Sequence, residues 1–250
     1  LKGIITMWVK ISDKEYLARN EISASDLKLV AKSPAHYLTK KLDLEDDITA
    51  SMRIGKLVHA VFLEDQELIL RPEGRKDSKH VKEFFEQLHK DEHWRVVTLD
   101  EKNTIFNIYD ALRNCDAVSK LLDNTIKELS GIIEDYRIKV DAINDEIIVD
   151  LKTTVDSNPK DFQYQFFKMN YHLQAAYYVD IAEKIDGKKR DFYFVTVSTN
   201  EPHNVVCYKV SQKTLEQGRT LYKECLQKLI EAKTTGNYMG YVSSDTILEI

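Results

Sequence analysis

Asp141, Asp150 and Lys152 are the residues whose types and spacing equip this chain for chemistry. In an extended strand alternate side chains share a face, so Asp150 and Lys152 project together while Val149 and Leu151 project the other way. Asp141 closes the preceding strand of the same hairpin, across the turn-forming pair Asn144-Asp145. Two carboxylates gathered beside an ammonium are expensive to bury without a compensating ion. A divalent cation would relieve the repulsion between the acids, polarise a phosphoryl oxygen and acidify a water. The lysine would stabilise the negative charge of a phosphorane-like transition state or help deprotonate the water. Hard oxygen ligands favour Mg²⁺, with Mn²⁺ as a substitute, over zinc. An Asp-x-Lys triplet is common on solvated hairpin edges. Here the other face of the strand is apolar, which places it inside a sheet, and a helix with Tyr171, Gln174 and Tyr178 on one face follows.

The elements that must position these groups change period along the chain. Helical patterning covers Ser23 to Ser33, opened by a Ser23/Asp26 capping pair, and Met52 to Glu64; Pro34 ends the first of these or starts the next helix. Arg71 to Lys79 is a charged loop, with helical material after it, and Asn103 to Leu122 reads as a further helix. Strands are expected over 132–143, 146–152, 192–198 and 204–210, a helical region from Pro159 to Lys184, and a closing amphipathic helix from Lys213 to Ala232. Residues 146–152 must pair antiparallel with the strand before them, because the turn is so short. The pattern is α/β, a central mixed sheet flanked by helices in a single domain over 1–250. Its helical N-terminal part spans 20–125, its sheet core 130–210 and its C-terminal helix 211–233, and the first ninety residues could form a helical lobe on the sheet.

Composition narrows the function classes. The chain of 250 residues carries 36 basic and 41 acidic residues, a net charge of −5, which argues against nonspecific coating of nucleic acid and leaves room only for a local basic lining. Three widely spaced cysteines, Cys115, Cys207 and Cys225, exclude a disulfide framework and a four-cysteine zinc or iron–sulfur site, and suggest reduced thiols. No apolar run approaches the length of a membrane-spanning helix, and the first six residues lack the pattern of a signal peptide.

Asp141, the run Ile148-Val149-Asp150-Leu151-Lys152-Thr153-Thr154 and the helix Tyr171-His172-Leu173-Gln174-Ala175-Ala176-Tyr177-Tyr178 together resemble the PD-(D/E)xK nuclease superfamily, and within it the RecE type, exodeoxyribonuclease VIII-like phage recombination exonucleases. Ile22 to Leu27, Ser33 to Tyr37 and Gly55 to Glu64 resemble that family's opening segments in the same order, so the similarity spans residues 20–240. Val140 stands where the superfamily's name motif has proline. The resemblance implies a restriction-endonuclease-like fold and metal ligands Asp141, Asp150, the Leu151 carbonyl and His59. It makes Lys152 the catalytic lysine, and Gln174 and Tyr178 the Gln-x-x-x-Tyr pair that orients the site and touches DNA, with Tyr171 beside them. Read from the residues alone, His59 among Val58, Phe62 and Leu63 is a core histidine. Glu64 is a candidate supporting acid. Ser25 and Arg19 resemble the Ser and Arg with which lambda exonuclease, a relative, holds a 5′-phosphate; helix N-termini favour phosphate in general. The basic runs Arg75-Lys76 and Lys188-Lys189-Arg190 are candidates for tracking a DNA backbone.

The implied activity is Mg²⁺-dependent exonucleolytic degradation of linear double-stranded DNA, 5′ to 3′, giving 5′-mononucleotides and a 3′ single-stranded tail for recombination. The implied partners are a second and further copies in a trimeric or tetrameric ring, and a single-strand annealing protein. The implied location is the cytoplasm of a bacterium or phage-infected host, with no membrane association. The alternatives are an endonuclease of the same superfamily and a DNA-binding module that has lost catalysis on this fold.

Overall fold

The computed structural model describes residues 6–42, 49–242, 246–247 and 249. Along the chain run β1 (Thr6–Val9), α1 (Asp13–Leu17), α2 (Ala24–Lys32), α3 (Pro34–Leu42), α4 (Ala50–Leu63), β2 (Ile69–Leu70), α5 (Lys79–Gln87), a short 3-10 helix (Lys90–Arg95), β3 (Val96–Val97), α6 (Leu99–Arg113) and α7 (Asp116–Leu122). Then come β4 (Ile126–Ile133), β5 (Tyr136–Ile143), β6 (Ile147–Thr154), α8 (Pro159–Lys168), α9 (Tyr171–Asp186), β7 (Asp191–Ser198), β8 (Val205–Lys209) and α10 (Gln212–Thr235). The main sheet has the order β1-β4-β5-β6-β7-β8 and is mixed: β6 and β7 are parallel and every other neighbouring pair is antiparallel. A parallel pair needs a long crossover, and α8 and α9 supply it. This is the expected α/β architecture, a central mixed sheet with helices on both faces.

Local chemistry starts the helices. Ser23 caps α2: its hydroxyl accepts from the Asp26 N–H at 3.2 Å, and the Asp26 carboxylate accepts from the Ser23 N–H at 2.9 Å. Aspartate thus fills the place usually held by Glu or Gln. Pro34 opens α3 rather than merely closing α2, since its missing N–H is no loss in a first turn.

Two apolar clusters share the sheet as their common wall. On one face α2, α8, α9 and α10 bury Leu27, Phe162, Leu173, Tyr177 and Leu229 against Ile138, Val140, Ile148, Phe192 and Phe194. On the other, α4, α6 and α7 bury Leu57, Val58, Ile105, Ile108 and Val118 against Ala142, Val149, Leu151, Val195 and Val197. The N-terminal helices therefore do not form a lobe; α2 lies under one face and α4 under the other, because each has an apolar stripe that only its own side of the sheet can cover. The helix expected over 103–122 is two, α6 and α7, and the helical region from Pro159 is broken at Asn170, whose φ is 52°. The strand expected over 132–143 is likewise two, β4 and β5, with a turn at Glu134-Asp135 in which Glu134 has φ 52°.

Where α9 and α10 cross, Gly218 lets the backbones meet. A Cβ there would lie 2.1 Å from the His172 carbonyl oxygen, so neither helix can keep its position with any side chain in place. Gly218→Ala should lower unfolding stability by about 3 kcal/mol through overpacking, read as a reduced urea midpoint with unchanged denaturant dependence.

Candidate active site

The sheet opens at the residues of interest. Pairing between β5 and β6 covers only Ala142↔Val149 and Ile143↔Ile148, whereas β6 pairs with β7 along its whole length. Beyond the paired residues the Asp141 carboxylate takes the place of a strand: its Oδ2 accepts the Leu151 N–H at 2.7 Å. The next strand is distorted at the same level. Glu128, opposite Asp141 in the β4–β5 register, has a φ of 52°, a left-handed conformation that an L residue holds only at a cost of about 1–3 kcal/mol. The Glu128 carboxylate lies close to Asp141.

His59 reaches the opening from α4. Its Nε2 donates to the Leu151 carbonyl at 2.8 Å, which leaves Nδ1 as the bare lone pair, 3.7 Å from Asp141 Oδ2. Burial holds the imidazole below its ordinary pKa, helped by the Lys152 charge. His59, Glu128 and Asp141 each offer a ligand atom within 4.8 Å of the others. Burial raises the Glu128 carboxyl, as does the neighbouring Asp141; the Lys139 ammonium, 2.8 Å from Glu128, works against that rise. Asp141 itself is pushed up to about 8 by burial and then by the charge of Asp150.

Asp150 and Lys152 project together toward α9, as strand alternation requires. Lys152 Nζ lies 2.5 Å from Asp150 Oδ2, and Gln174 Nε2 donates to Asp150 Oδ1 at 2.6 Å. Asp150 Oδ2 is buried and accepts no hydrogen bond of good geometry. The Lys152 ammonium also sits 5.2 Å over the Tyr171 ring and 5.9 Å over that of Phe194. Burial alone would lower this lysine, but the Asp150 and Asp141 carboxylates outweigh it and push its pKa upward, so it stays charged. A permanently charged lysine serves as an electrostatic stabiliser rather than as a base.

The donor set fits a hard divalent cation. The His59 Nδ1 lone pair faces the Asp141 carboxyl, Asp150 Oδ2 has the Lys152 ammonium beside it but no hydrogen bond, and two acids sit at raised pKa, an arrangement that a bound cation would relieve. Asp141, His59 and Glu128 form the tight cluster; Asp150, engaged by Gln174 and Lys152, stands next to it, and the Leu151 carbonyl is already held by His59.

Gln174 is buried and used at both ends: its Oε1 accepts from Lys28 Nζ at 2.5 Å while its amide nitrogen holds Asp150. Tyr171 is buried with its ring under two ammoniums, those of Lys152 and, at 4.8 Å, Lys28. Tyr178, half-buried, packs edge-on to Phe192. Ser25 is exposed in the first turn of α2, where Ser23 does the capping, and Arg19 is tied to Glu21 beside it, with its carbonyl accepting from Arg137. Neither enters the cluster. Glu64 ends α4 in solvent and accepts from Gln66, away from the site. The run Lys188-Lys189-Arg190 is partly structural, since Lys188 pairs with Asp145 and Arg190 is buried on Asp186 and the Asn144 carbonyl.

Two residues of the site escaped sequence reasoning. Glu128 would have been found by continuing the hairpin backward from the Glu134-Asp135 turn, which sets it opposite Asp141. Lys28 carried no local signal; it is pushed down to about 7 by burial and by the Lys152 charge. Because Gln174 fixes the orientation of Asp150, Gln174→Ala should weaken divalent-cation binding about 10- to 100-fold without abolishing it, read from a smaller cation-induced rise in melting temperature.

The fold and this site define a PD-(D/E)xK-type nuclease scaffold with a candidate metal-binding triad. The chain belongs to the family described as a PDDEXK-like domain of unknown function (DUF3799), whose model matches residues 23–241. Its fold is similar to that of a protein from Eubacterium rectale described, provisionally, as an exonuclease, with a TM-score of 0.70 and 15% identity over 97% of this chain and 96% of the other. A phage-related exonuclease from Haemophilus somnus 129PT is more distant, at a TM-score of 0.36 and 13% identity over 90% of this chain and 100% of the other. No curated protein matches the chain. No helix among the described residues is long and apolar enough to cross a membrane, and all three cysteines are free.

Proposed function

We propose that the protein is a metal-dependent exodeoxyribonuclease of the RecE type, degrading linear double-stranded DNA from its 5′ ends to leave 5′-mononucleotides and a 3′ single-stranded tail. The observation that carries the reading is the meeting of Asp141, Asp150 and Lys152 at the opening between β5 and β6. Asp141, Asp150, His59 and Glu128 would hold Mg²⁺, or Mn²⁺ in its place, which would polarise the scissile phosphate and lower the pKa of the attacking water. Hydrolysis joins the water oxygen to phosphorus, breaks the phosphorus bond to the 3′ oxygen and returns a proton to that oxygen. Lys152, held charged by Asp150, faces the negative charge that builds on the phosphoryl oxygens. Gln174 keeps the Asp150 carboxylate in place, and Lys28 keeps Gln174 in place.

The reading extends to a homo-oligomeric ring of three or four copies, a single-strand annealing partner and a cytoplasmic site of action. A ring would reconcile a net charge of −5 with DNA binding, since only its channel need be basic. Mass measurement in solution that finds monomer alone would remove the ring.

The test is linear duplex labelled at one end, carrying a 5′-phosphate or a 5′-hydroxyl, incubated with Mg²⁺ and then with chelator, beside a closed circle. Stepwise loss of the 5′ strand from linear DNA, abolished by chelator, is expected. Nicking of the circle would make the protein an endonuclease, and inert linear DNA would make it a binding module.

A further inference from the structure

The helix α8 is apolar on two sides. Its inner side buries Phe162 and Phe166 in the sheet core, as an amphipathic helix should. Its outer side carries Lys160, Gln163, Tyr164, Phe167 and Lys168 at helical spacing, and all five are exposed. Tyr164 is 70% exposed and Phe167 43% exposed. Tyr164 is left largely to solvent and Phe167 is only partly covered.

The rings are held ready rather than loose. Phe167 stands edge-on to Phe166 with centroids 5.2 Å apart and also lies 5.2 Å from the His172 ring, while Lys168 Nζ sits 5.6 Å over Tyr164. Lys160 and Lys168 bracket the rings, and neither is ion-paired with a carboxylate among the described residues. Asp161, the one acid on α8, is engaged by Asn158 at the start of the helix.

The platform adjoins the proposed site. Thr154, the last residue of β6, donates through Oγ1 to Gln165 Oε1 at 2.7 Å, fastening α8 to the strand that carries Asp150 and Lys152. His172, in contact with Phe167, follows Tyr171, whose ring covers the Lys152 ammonium.

Fixed aromatic rings between unpaired ammoniums match the chemistry of an unpaired nucleic-acid strand, whose bases stack and whose phosphates meet the cations. A protein partner fits less well, because lysine is depleted at the centre of protein interfaces. We propose that the outer face of α8 is a stacking platform for single-stranded DNA, the tail left when one strand of a duplex is removed. This rests on the nuclease reading above.

The experiment is fluorescence anisotropy with a labelled oligothymidylate of about twenty nucleotides, in chelator so that nothing is cleaved. The Tyr164→Ala/Phe167→Ala double variant should bind at least tenfold more weakly than wild type. Lys160→Glu/Lys168→Glu, at solvent positions where folding is not at stake, should also weaken binding and flatten its salt dependence. Wild-type affinity in both double variants would overturn the proposal whatever the cleavage assay gives. A change of mass in solution on Tyr164→Ala/Phe167→Ala, with binding intact, would overturn it in favour of an interface between protein chains.

Discussion

Lys152→Ala is expected to lower cleavage of linear duplex about 10³-fold, near the upper range for removing one charge-stabilising donor from a buried site. The lysine lies 2.5 Å from Asp150 and is kept charged by the two aspartates, so its loss takes away positive charge where the transition state gains negative charge. It also leaves both carboxylates in place, with Asp150 short of its cationic neighbour. Cation binding should therefore persist or strengthen, seen as an undiminished rise in melting temperature on adding Mn²⁺. Loss of the cation-induced rise together with activity would mean that Lys152 builds the site rather than acting in it.

Asp141→Asn should give the opposite pairing: activity and the cation-induced rise both disappear, while stability in chelator increases with pH relative to wild type. The sign follows from where Asp141 binds its proton. Burial and Asp150 push its pKa up to about 8 in the folded chain, from an ordinary value of 3.8. Between these values the folded state holds a proton that the unfolded state has released, so rising pH through this window removes stability. Lys28, pushed down to about 7, works the other way above that pH: the folded state then loses a proton that the unfolded state keeps. His59, lowered from 6.5, adds stability only as pH rises toward its ordinary value. Both groups are common to wild type and variant. The difference between the two melting curves, followed from pH 6 to 9 in chelator, should thus widen in favour of Asp141→Asn, by several degrees at the upper end. Parallel curves would show that Asp141 ionises normally and needs no cation.

The hairpin that carries the chemistry was legible because its residues obey one rule. Ile148, Asp150 and Lys152 alternate with Val149 and Leu151, and the two sets face different cores. β4 was read only in part because it breaks that rule. Its opening Lys127-Glu128 and the Ser130-Gly131 step interrupt the apolar alternation, and Glu128 sits in a left-handed conformation that no strand propensity anticipates. The turn at Glu134-Asp135 was passed over because apolar residues flank it on both sides. With that turn missing, the register that sets Glu128 against Asp141 could not be drawn.

Lys28 was hidden for a different reason. Its partner Gln174 is 146 residues away, and the two meet only because α2 and α9 pack on the same face of the sheet. The basic run Lys188-Lys189-Arg190 misled in the reverse direction. Arg190 looks like surface charge in the sequence, but Asp186 lies four residues before it, at the end of α9, and the Asn144 carbonyl comes from a distant turn, so the guanidinium is drawn inward. His59 reads as a core residue from its neighbours, and its position on α4 indeed borders the apolar cluster. Only the open edge of β6 gives its ring polar partners.

Titration of Mn²⁺ followed by electron paramagnetic resonance, in which the free ion's signal falls as it binds, tests the site most directly. Wild type and Lys152→Ala should take up the ion, whereas Asp141→Asn and Asp150→Asn should leave the signal close to that of Mn²⁺ in buffer. Equal uptake by all four proteins would contradict the assignment of this opening in the sheet as a metal-dependent hydrolytic centre.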